Sequence, residues 1–383
     1  MNAIFHKTKS SLLLLTLSLL FFVIALFPFQ ARAVSDTGEN FRAKVVEVIE
    51  EAEKEREDGT KYTQQNLRLE AISGERLGEE FIYYGISEIE VGNASLYKTG
   101  DRVYIDVFQL ENGQEEVYVV DYVRTWPVTV LALIFIIFVV AVGRFKGIRA
   151  LLSLIISFVI IIKFILPQIL AGRDPVLISL IGGLFIMAVI IYLTEGWQRK
   201  SHLAIISVFF SLALTILLSV IFTAWTKLSG FAQEEAIFLI GIGQAEINFR
   251  GLLLAGMIIG AIGVLDDIIV GQIEAVARIK EANPNLSPAK TFSLAYKIGN
   301  THLGAIINTL FLTYAGAALP LLLLFVVNQE AGLSLARALN TEAITTEVVR
   351  TLVGSIGVMA SMPIATFLAA WPLRPVKWTR GIK

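Results

Sequence analysis

The chain has 383 residues, of which 55% are hydrophobic and only 17% are charged, and its mean hydropathy is +0.69. This composition is typical of a multi-pass membrane protein and excludes an ordinary soluble domain. The lack of cysteine excludes disulfides and thiolate metal sites, and the wide spacing of His6, His202 and His302 argues against a histidine metal centre. We therefore expect no metal and no other cofactor.

The net charge of −1 conceals two parts of opposite charge. Residues 34–126 contain 21 Asp and Glu against 10 Lys and Arg, whereas the rest of the chain contains 12 acidic and 22 basic residues. The pattern predicts an acidic soluble module joined to a basic membrane body. An acidic module lacks the positive surface that nucleic acid requires, so no nucleic-acid partner is expected.

Residues 1–33 begin with basic residues, continue as a long apolar stretch, and end with small residues at Ala31 and Ala33. This pattern predicts a secretory signal that ends near Ala33. The apolar stretch is also long enough for an uncleaved signal anchor, so both interpretations stay open. In either case, the segment that follows is expected outside a bacterial-type plasma membrane.

Five short runs in 34–126 have the alternating apolar pattern of β-strands, separated by turn-forming pairs such as Gly100-Asp101 and Asn112-Gly113. Five strands in so short a segment predict a small extracytoplasmic β-barrel, OB-like or SH3-like. Such a domain either binds an extracytoplasmic protein partner, or gates the membrane body, or serves as an inert spacer.

After Pro127, the sequence predicts an all-α membrane domain over 127–371, followed by a basic cytoplasmic tail over 372–383. A spanning helix needs roughly 20 apolar residues to cross a hydrocarbon core about 30 Å thick. Seven stretches of about this length follow one another: 127–143, 149–171, 175–194, 202–225, 251–270, 303–327 and 349–371.

The positions of Lys and Arg predict the orientation of these spans. With the barrel outside, 13 basic residues fall in the cytoplasmic connections and the tail, against five in the outer connections after the barrel. The segment 231–249 has an apolar core too short to span, and we interpret it as an interfacial or re-entrant helix on the outer side. The C-terminus is accordingly expected in the cytoplasm.

Two aspartates, Asp266 and Asp267, lie within the fifth predicted span, near its cytoplasmic end. A carboxylate at this depth is costly unless it is paired, hydrated or neutralised. Asp267 also belongs to a stripe of small and acidic residues at helical spacing, which predicts close helix packing and points Asp267 into the bundle. The members of the stripe are Gly256, Gly260, Gly263, Asp267, Gly271 and Glu274.

The sixth predicted span brings polar residues to the same depth as the aspartates. Asn308 and Thr309 lie within the inner leaflet by this count, and His302 lies at the membrane surface. Two carboxylates, an amide, a hydroxyl and an imidazole in one layer suit a proton relay or a cation site. The alternative is that the aspartates reach cytoplasmic water and have no such role. Glu195, after the third span, either faces the same vestibule or is a solvated helix end, and we favour the second interpretation.

Four segments resemble the YibE/F-like family of multi-pass membrane proteins, most strongly over residues 250–325 and more loosely over most of the chain. They are GAIGVLDD (260–267), EANPNLS (281–287), IGNTH (298–302) and NTLFLTYAGAALPLLLLF (308–325). The resemblance implies a multi-pass membrane architecture and suggests transport. The chain departs from the family pattern at Asn300 and Thr301, where the resemblance leads us to expect charged residues.

These observations together predict a permease or ion-coupled transporter that moves a small solute or ion through the bilayer. The candidate pathway residues are Asp266, Asp267, Asn308, Thr309 and His302, and the candidate packing residues are Gly256, Gly260, Gly263 and Gly271. The alternative is a non-transporting scaffold or sensor whose barrel binds an envelope partner. No nucleophile motif, phosphate loop or dinucleotide fingerprint occurs, so we do not expect an enzyme.

Overall fold

The computed structural model describes residues 38–55, 59, 61–87, 96–110, 113–232, 236, 239–240, 247–330 and 335–371. The predicted signal, the cytoplasmic tail and most of the 231–249 segment lie outside these residues. The chain divides into two compact units at the boundary between Phe138 and Val139.

The first unit contains an antiparallel five-stranded sheet with the strand order β3-β2-β1-β4-β5. All five strands fall on the runs predicted from the sequence. Their bounds are β1 Gly38–Glu55, β2 Lys61–Ala71, β3 Glu80–Tyr84, β4 Arg102–Gln109 and β5 Glu115–Tyr122.

Strand β1 bends the sheet into a half-barrel. Its first part pairs with β4 and the remainder with β2, with register shifts between Val45 and Glu47 and between Val48 and Glu50. Bulges of this kind increase local twist and curvature, and the two edge strands β3 and β5 lie near each other as a result. No hydrogen-bonded ladder joins β3 to β5 among the described residues, so a half-barrel, rather than the predicted closed barrel, is established.

The interior of the half-barrel is apolar because alternate residues of the strands face it. Leu67 and Leu69 of β2 and Val103 and Ile105 of β4 are all fully buried, as their alternation in the sequence predicted. The buried side chains form one cluster with Phe41 of β1, which packs at 5.4 Å between ring centroids on Phe81 of β3.

The rest of the described chain is helical, and its first helix extends across the boundary between Phe138 and Val139. Its elements are α1 Thr125–Ile160, a π-helical turn Ile161–Ile165, α2 Leu166–Leu170, α3 Pro175–Thr194, α4 Arg199–Trp225, α5 Phe249–Ala282, α6 Pro288–Ala317, α7 Leu319–Glu330, α8 Leu335–Leu339 and α9 Glu342–Ala370.

Five of these helical stretches are long and apolar enough to cross a membrane, which leaves the predicted number of seven unconfirmed. The first two predicted spans lie in the single stretch Thr125–Leu170, which bends at Arg144 (φ 49°, ψ −131°) without an intervening loop. The sixth predicted span is divided at Ala318, so that its apolar residues are shared between α6 and α7. Neither α6 nor α7 alone is both apolar enough and long enough to be a candidate membrane span.

Helix α5 is the centre of the bundle and packs against α3, α4, α6 and α9. Its buried face is broad and apolar, and it includes Leu265, Ile269 and Ile273. Near its far end, Gln272 accepts a hydrogen bond of 2.9 Å from Thr366 of α9. Gly299 of α6 packs directly on the Gln272 amide, where a larger residue would overlap it.

Helices α4 and α9 pack through small residues, as helices in a membrane commonly do. A side chain at Gly357 of α9 would overlap the buried Thr215 hydroxyl of α4. By contrast, a side chain at Gly354, one turn earlier on α9, would meet no described atom within 4 Å.

We predict that Gly357→Ala lowers the thermal stability of the purified protein, because overpacking a tight contact costs about 1–3 kcal/mol. Gly354→Ala is the matched control, since it makes the same helix-favouring change without an overlap. The thermal stability of each variant is measured by heating the detergent-solubilised protein and recording the fraction that stays monodisperse. Adding Thr215→Ala should recover part of the loss, and equal stability of the two alanine variants would contradict the described α4–α9 contact.

Candidate functional site

The two adjacent aspartates of α5 have different surroundings. Asp266 is half-buried, and its Oδ1 atom is buried without a hydrogen-bond partner among the described residues. Asp267, one residue later and rotated by about 100°, is exposed. The prediction that Asp267 points into the bundle is therefore wrong, and Asp266 is the inward-facing carboxylate.

The glycine stripe explains this reversal. Gly256, Gly263 and Gly271 have no described atom within 4 Å of the position that a Cβ would occupy, and they lie on the same exposed face as Asp267. Of these four glycines, Gly260 alone packs against another described helix. A Cβ atom at Gly260 would lie 2.9 Å from the Tyr314 hydroxyl oxygen of α6. Helix α5 turns its apolar face inward, so the packing role of the other three glycines stays a prediction.

The polar residues of α6 are level with the aspartates but face elsewhere. Helix α6 contacts α5 near Gly299 and again near Tyr314. Asn308 and Thr309 lie between these two contacts, at about the depth of Asp266. Both side chains are exposed, as is His302, and the Thr309 hydroxyl donates to the carbonyl of Ala305 in its own helix. No described contact joins these three residues to the aspartates.

The face of α6 that packs on the bundle carries apolar and small residues instead. Their spacing of three and four is that of one helix face. They are Gly299, Leu303, Ile306, Leu310 and Tyr314.

Glu195, the residue that follows α3, is brought toward Asp266. It is half-buried, and together with Asp267 it is close enough to act electrostatically on the Asp266 carboxylate. This arrangement favours the alternative in which Glu195 faces the same region as the aspartates, a choice that the sequence left open because it does not show which way the α3–α4 turn folds.

A small cleft of about 40 Å³ opens beside Glu195, between α3, α4 and α5. Lys200 Nζ lies 2.8 Å from Glu274 Oε2 at this cleft, and the Arg278 guanidinium bonds the other oxygen of Glu274 at 2.7 Å. The lining residues are Ile191, Glu195, Gln198, Lys200, Ser201, Ala204, Val270, Ile273 and Glu274.

Asp266 lies on the same side of α5 as two residues of the cleft wall. Val270 lies one turn beyond Asp266, a rise of about 6 Å, and Ile273 lies about two turns beyond it. On this side of α5, Asp266 is therefore the first ionisable residue inward of the cleft wall, whereas Asp267 lies on the exposed face.

A second polar feature lies along α4, where buried hydroxyls recur at every fourth residue. The row covers about 24 Å of helix, close to the hydrocarbon thickness of a bilayer. Its members are Ser207, Ser211, Thr215, Ser219 and Thr223.

Three of these hydroxyls lack a described hydrogen-bond partner, namely those of Ser211, Ser219 and Thr223. The Ser207 and Thr215 hydroxyls instead donate to carbonyls of their own helix. The regular spacing was visible in the sequence and could have identified the row, but only the packing of α4 on α9 shows that it is buried.

The fold and the site define a helical protein of the multi-pass membrane type, with an acidic group inside the bundle. The family model described as YibE/F-like protein matches residues 131–375 of the chain. Because this match covers well over half of the sequence, the chain belongs to the YibE/F-like family, as the resemblance predicted. Comparisons with curated proteins and with solved structures found no match.

The cleft can be tested with single cysteines, because the chain contains none of its own. We predict that a charged thiosulfonate modifies Ala204→Cys, which lines the cleft, more rapidly than Ala261→Cys, which is equally buried at 2% exposure on α5 but lies outside it. Modification in inverted but not in right-side-out vesicles would also place the cleft on the cytoplasmic side. Equal rates for the two cysteines would contradict a water-accessible cleft.

Proposed function

We propose that this protein is a permease or ion-coupled transporter of a bacterial-type plasma membrane, in which Asp266 takes up and releases a proton or cation. The observation that carries the proposal is the half-buried Asp266 carboxylate, whose Oδ1 has no described hydrogen-bond partner. Ionisable groups within membrane helices are costly and mark ion pathways or proton relays.

The charges around Asp266 support this role. Asp267 and Glu195 are both acidic, so they repel a negative charge at Asp266 instead of compensating it. A proton or cation bound at Asp266 relieves this repulsion, and its release restores it. Such a site exchanges its ion more readily than a carboxylate that is permanently paired with lysine or arginine, as Glu274 is.

Two features support the proposed route to and from Asp266. The cleft lies one turn away on the same side of α5, and the buried hydroxyl row lies on the neighbouring helix α4, at its contact with α9. Hydroxyl groups both donate and accept hydrogen bonds, so they suit a proton or a partly hydrated cation. His302, Asn308 and Thr309 have no contact that brings them into this route, and we leave them outside the proposed site.

The basic residues around the cleft support the proposed orientation. Lys200 and Arg278 lie at the cleft end of the bundle, and an excess of Lys and Arg favours the cytoplasmic side. We propose accordingly that the cleft opens to the cytoplasm and that the half-barrel lies outside the cell.

The adjacent aspartates provide a matched pair of variants for testing the function. In proteoliposomes with an imposed pH or cation gradient, we expect the wild-type protein to carry a measurable ion flux, read by an internal indicator dye. Asp266→Asn should reduce this flux to the level of empty vesicles, because the amide cannot exchange a proton or neutralise a cation. Asp267→Asn makes the same chemical change on the exposed face and should retain the flux.

Two outcomes would contradict the proposal, namely wild-type flux in Asp266→Asn and no flux by the wild-type protein under any gradient. The second outcome, combined with loss of a protein complex on deletion of the half-barrel, would favour a membrane scaffold or sensor that binds an envelope partner. Reconstitution efficiency and thermal stability of each variant serve as controls for folding.

A further inference from the structure

A larger cavity lies at the opposite end of the bundle from the cleft. It measures about 330 Å³, is partly open, and is lined by the π-helical turn, α2, α3, α5, α9 and the described residues Gly230, Ala232, Ala236 and Leu239 of the connection before α5. Ser179, in the second turn of α3, lines this cavity, whereas Glu195 of the cleft follows the last residue of α3. The two sites are therefore separated by about 24 Å along the α3 axis.

The wall of the cavity is mainly apolar. Isoleucine, leucine and alanine side chains and one glycine from α2, α5 and the π-helical turn make up most of the described lining, and no acidic residue is among the lining residues that the structure describes. A volume of about 330 Å³ is that of a small-molecule pocket, which typically begins at roughly 300 Å³.

Three polar groups in the wall have no described hydrogen-bond partner: the Ser179 hydroxyl, the Thr346 hydroxyl and the Arg350 Nε–H. Ser179 is fully buried and Thr346 is 2% exposed. All three can donate a hydrogen bond, and a buried donor without a partner costs about 1–3 kcal/mol. Such groups are usually satisfied by a water or a ligand.

Arg350 gives the cavity a positive charge that is only partly compensated. Its Nη2 atom lies 3.4 Å from Glu347 on the same helix, which leaves the Nε side of the guanidinium free. A guanidinium presents several donors in one plane and suits carboxylate or phosphate. An apolar pocket with one guanidinium and two hydroxyl donors therefore matches an anion that has an apolar body.

We propose that this cavity binds an amphipathic anion, with its carboxylate or phosphate held by Arg350, Ser179 and Thr346 and its hydrocarbon part in the apolar pocket. The ligand is either a free fatty-acid-like carboxylate or the head of an anionic phospholipid, since both present the same chemistry. This site does not depend on the proposed role of Asp266, because it uses neither Asp266 nor the cleft.

Equilibrium binding of radiolabelled decanoate to the full-length protein in phosphatidylcholine nanodiscs tests the proposal, with empty nanodiscs as background. We expect saturable binding of decanoate at mildly alkaline pH and weaker competition, by about tenfold or more, from the uncharged analogue decanol. Arg350→Gln should weaken decanoate binding by about tenfold or more, while Arg173→Gln, in the exposed loop before α3, should leave it unchanged.

The hydroxyl variants separate binding from folding. Ser179→Ala and Thr346→Val remove an unpartnered donor, so they should preserve or raise the thermal stability of the ligand-free protein while weakening decanoate binding. Competition by phosphatidylglycerol would identify a lipid as the occupant, and its failure to compete would favour a free amphiphile. Non-saturable decanoate uptake, equal competition by decanol, or unchanged binding in Arg350→Gln would overturn the proposal.

Discussion

A carboxylate within a bundle of apolar helices must be paired, hydrated or neutralised, and this constraint determines how the helical unit can work. At Asp266, the described residues supply no hydrogen bond to Oδ1, and Glu195 and Asp267, which act electrostatically on this carboxylate, are also negative. Water, a proton or an exchangeable cation can satisfy such a group. The transport that we propose requires a hydrophilic route from water to this carboxylate on the central helix α5.

The bundle meets this constraint by distributing its polar groups along different helix faces. Glu274 is held by Lys200 and Arg278 at the cleft, where it is compensated, and the hydroxyl row of α4 lies against the small residues of α9. At the far end, Arg350 is the charged residue in the described wall of a mainly apolar cavity that also contains the Ser179 and Thr346 hydroxyls. The helical unit thus has an acidic site near one end and a basic site near the other, joined by the same helix α5.

Much of the fold could be predicted from the sequence, because hydrophobic length and alternation are local properties. The five strands and the bounds of α3, Pro175–Thr194, agree with the runs read from the residues. The predicted number of seven spans stays unconfirmed, because the helix bends at Arg144 and breaks at Ala318 within two of the predicted regions. Average hydropathy does not show where a helix bends or breaks.

The site was predicted only in part, because the sequence did not show which face of α5 packs inside the bundle. The sequence identified the paired aspartates but chose Asp267, because a stripe of glycines usually marks a helix contact. In the structure, the apolar face of α5 makes most of the contacts, so Asp266 is the half-buried member, and Gly256, Gly263 and Gly271 lie outward. An experimental structure in lipid nanodiscs tests the central claim most directly. We predict ordered water or ion density that connects the cleft beside Glu195 to Asp266 Oδ1. An Asp266 carboxylate sealed off by packed apolar side chains, or paired with a basic residue, would contradict it.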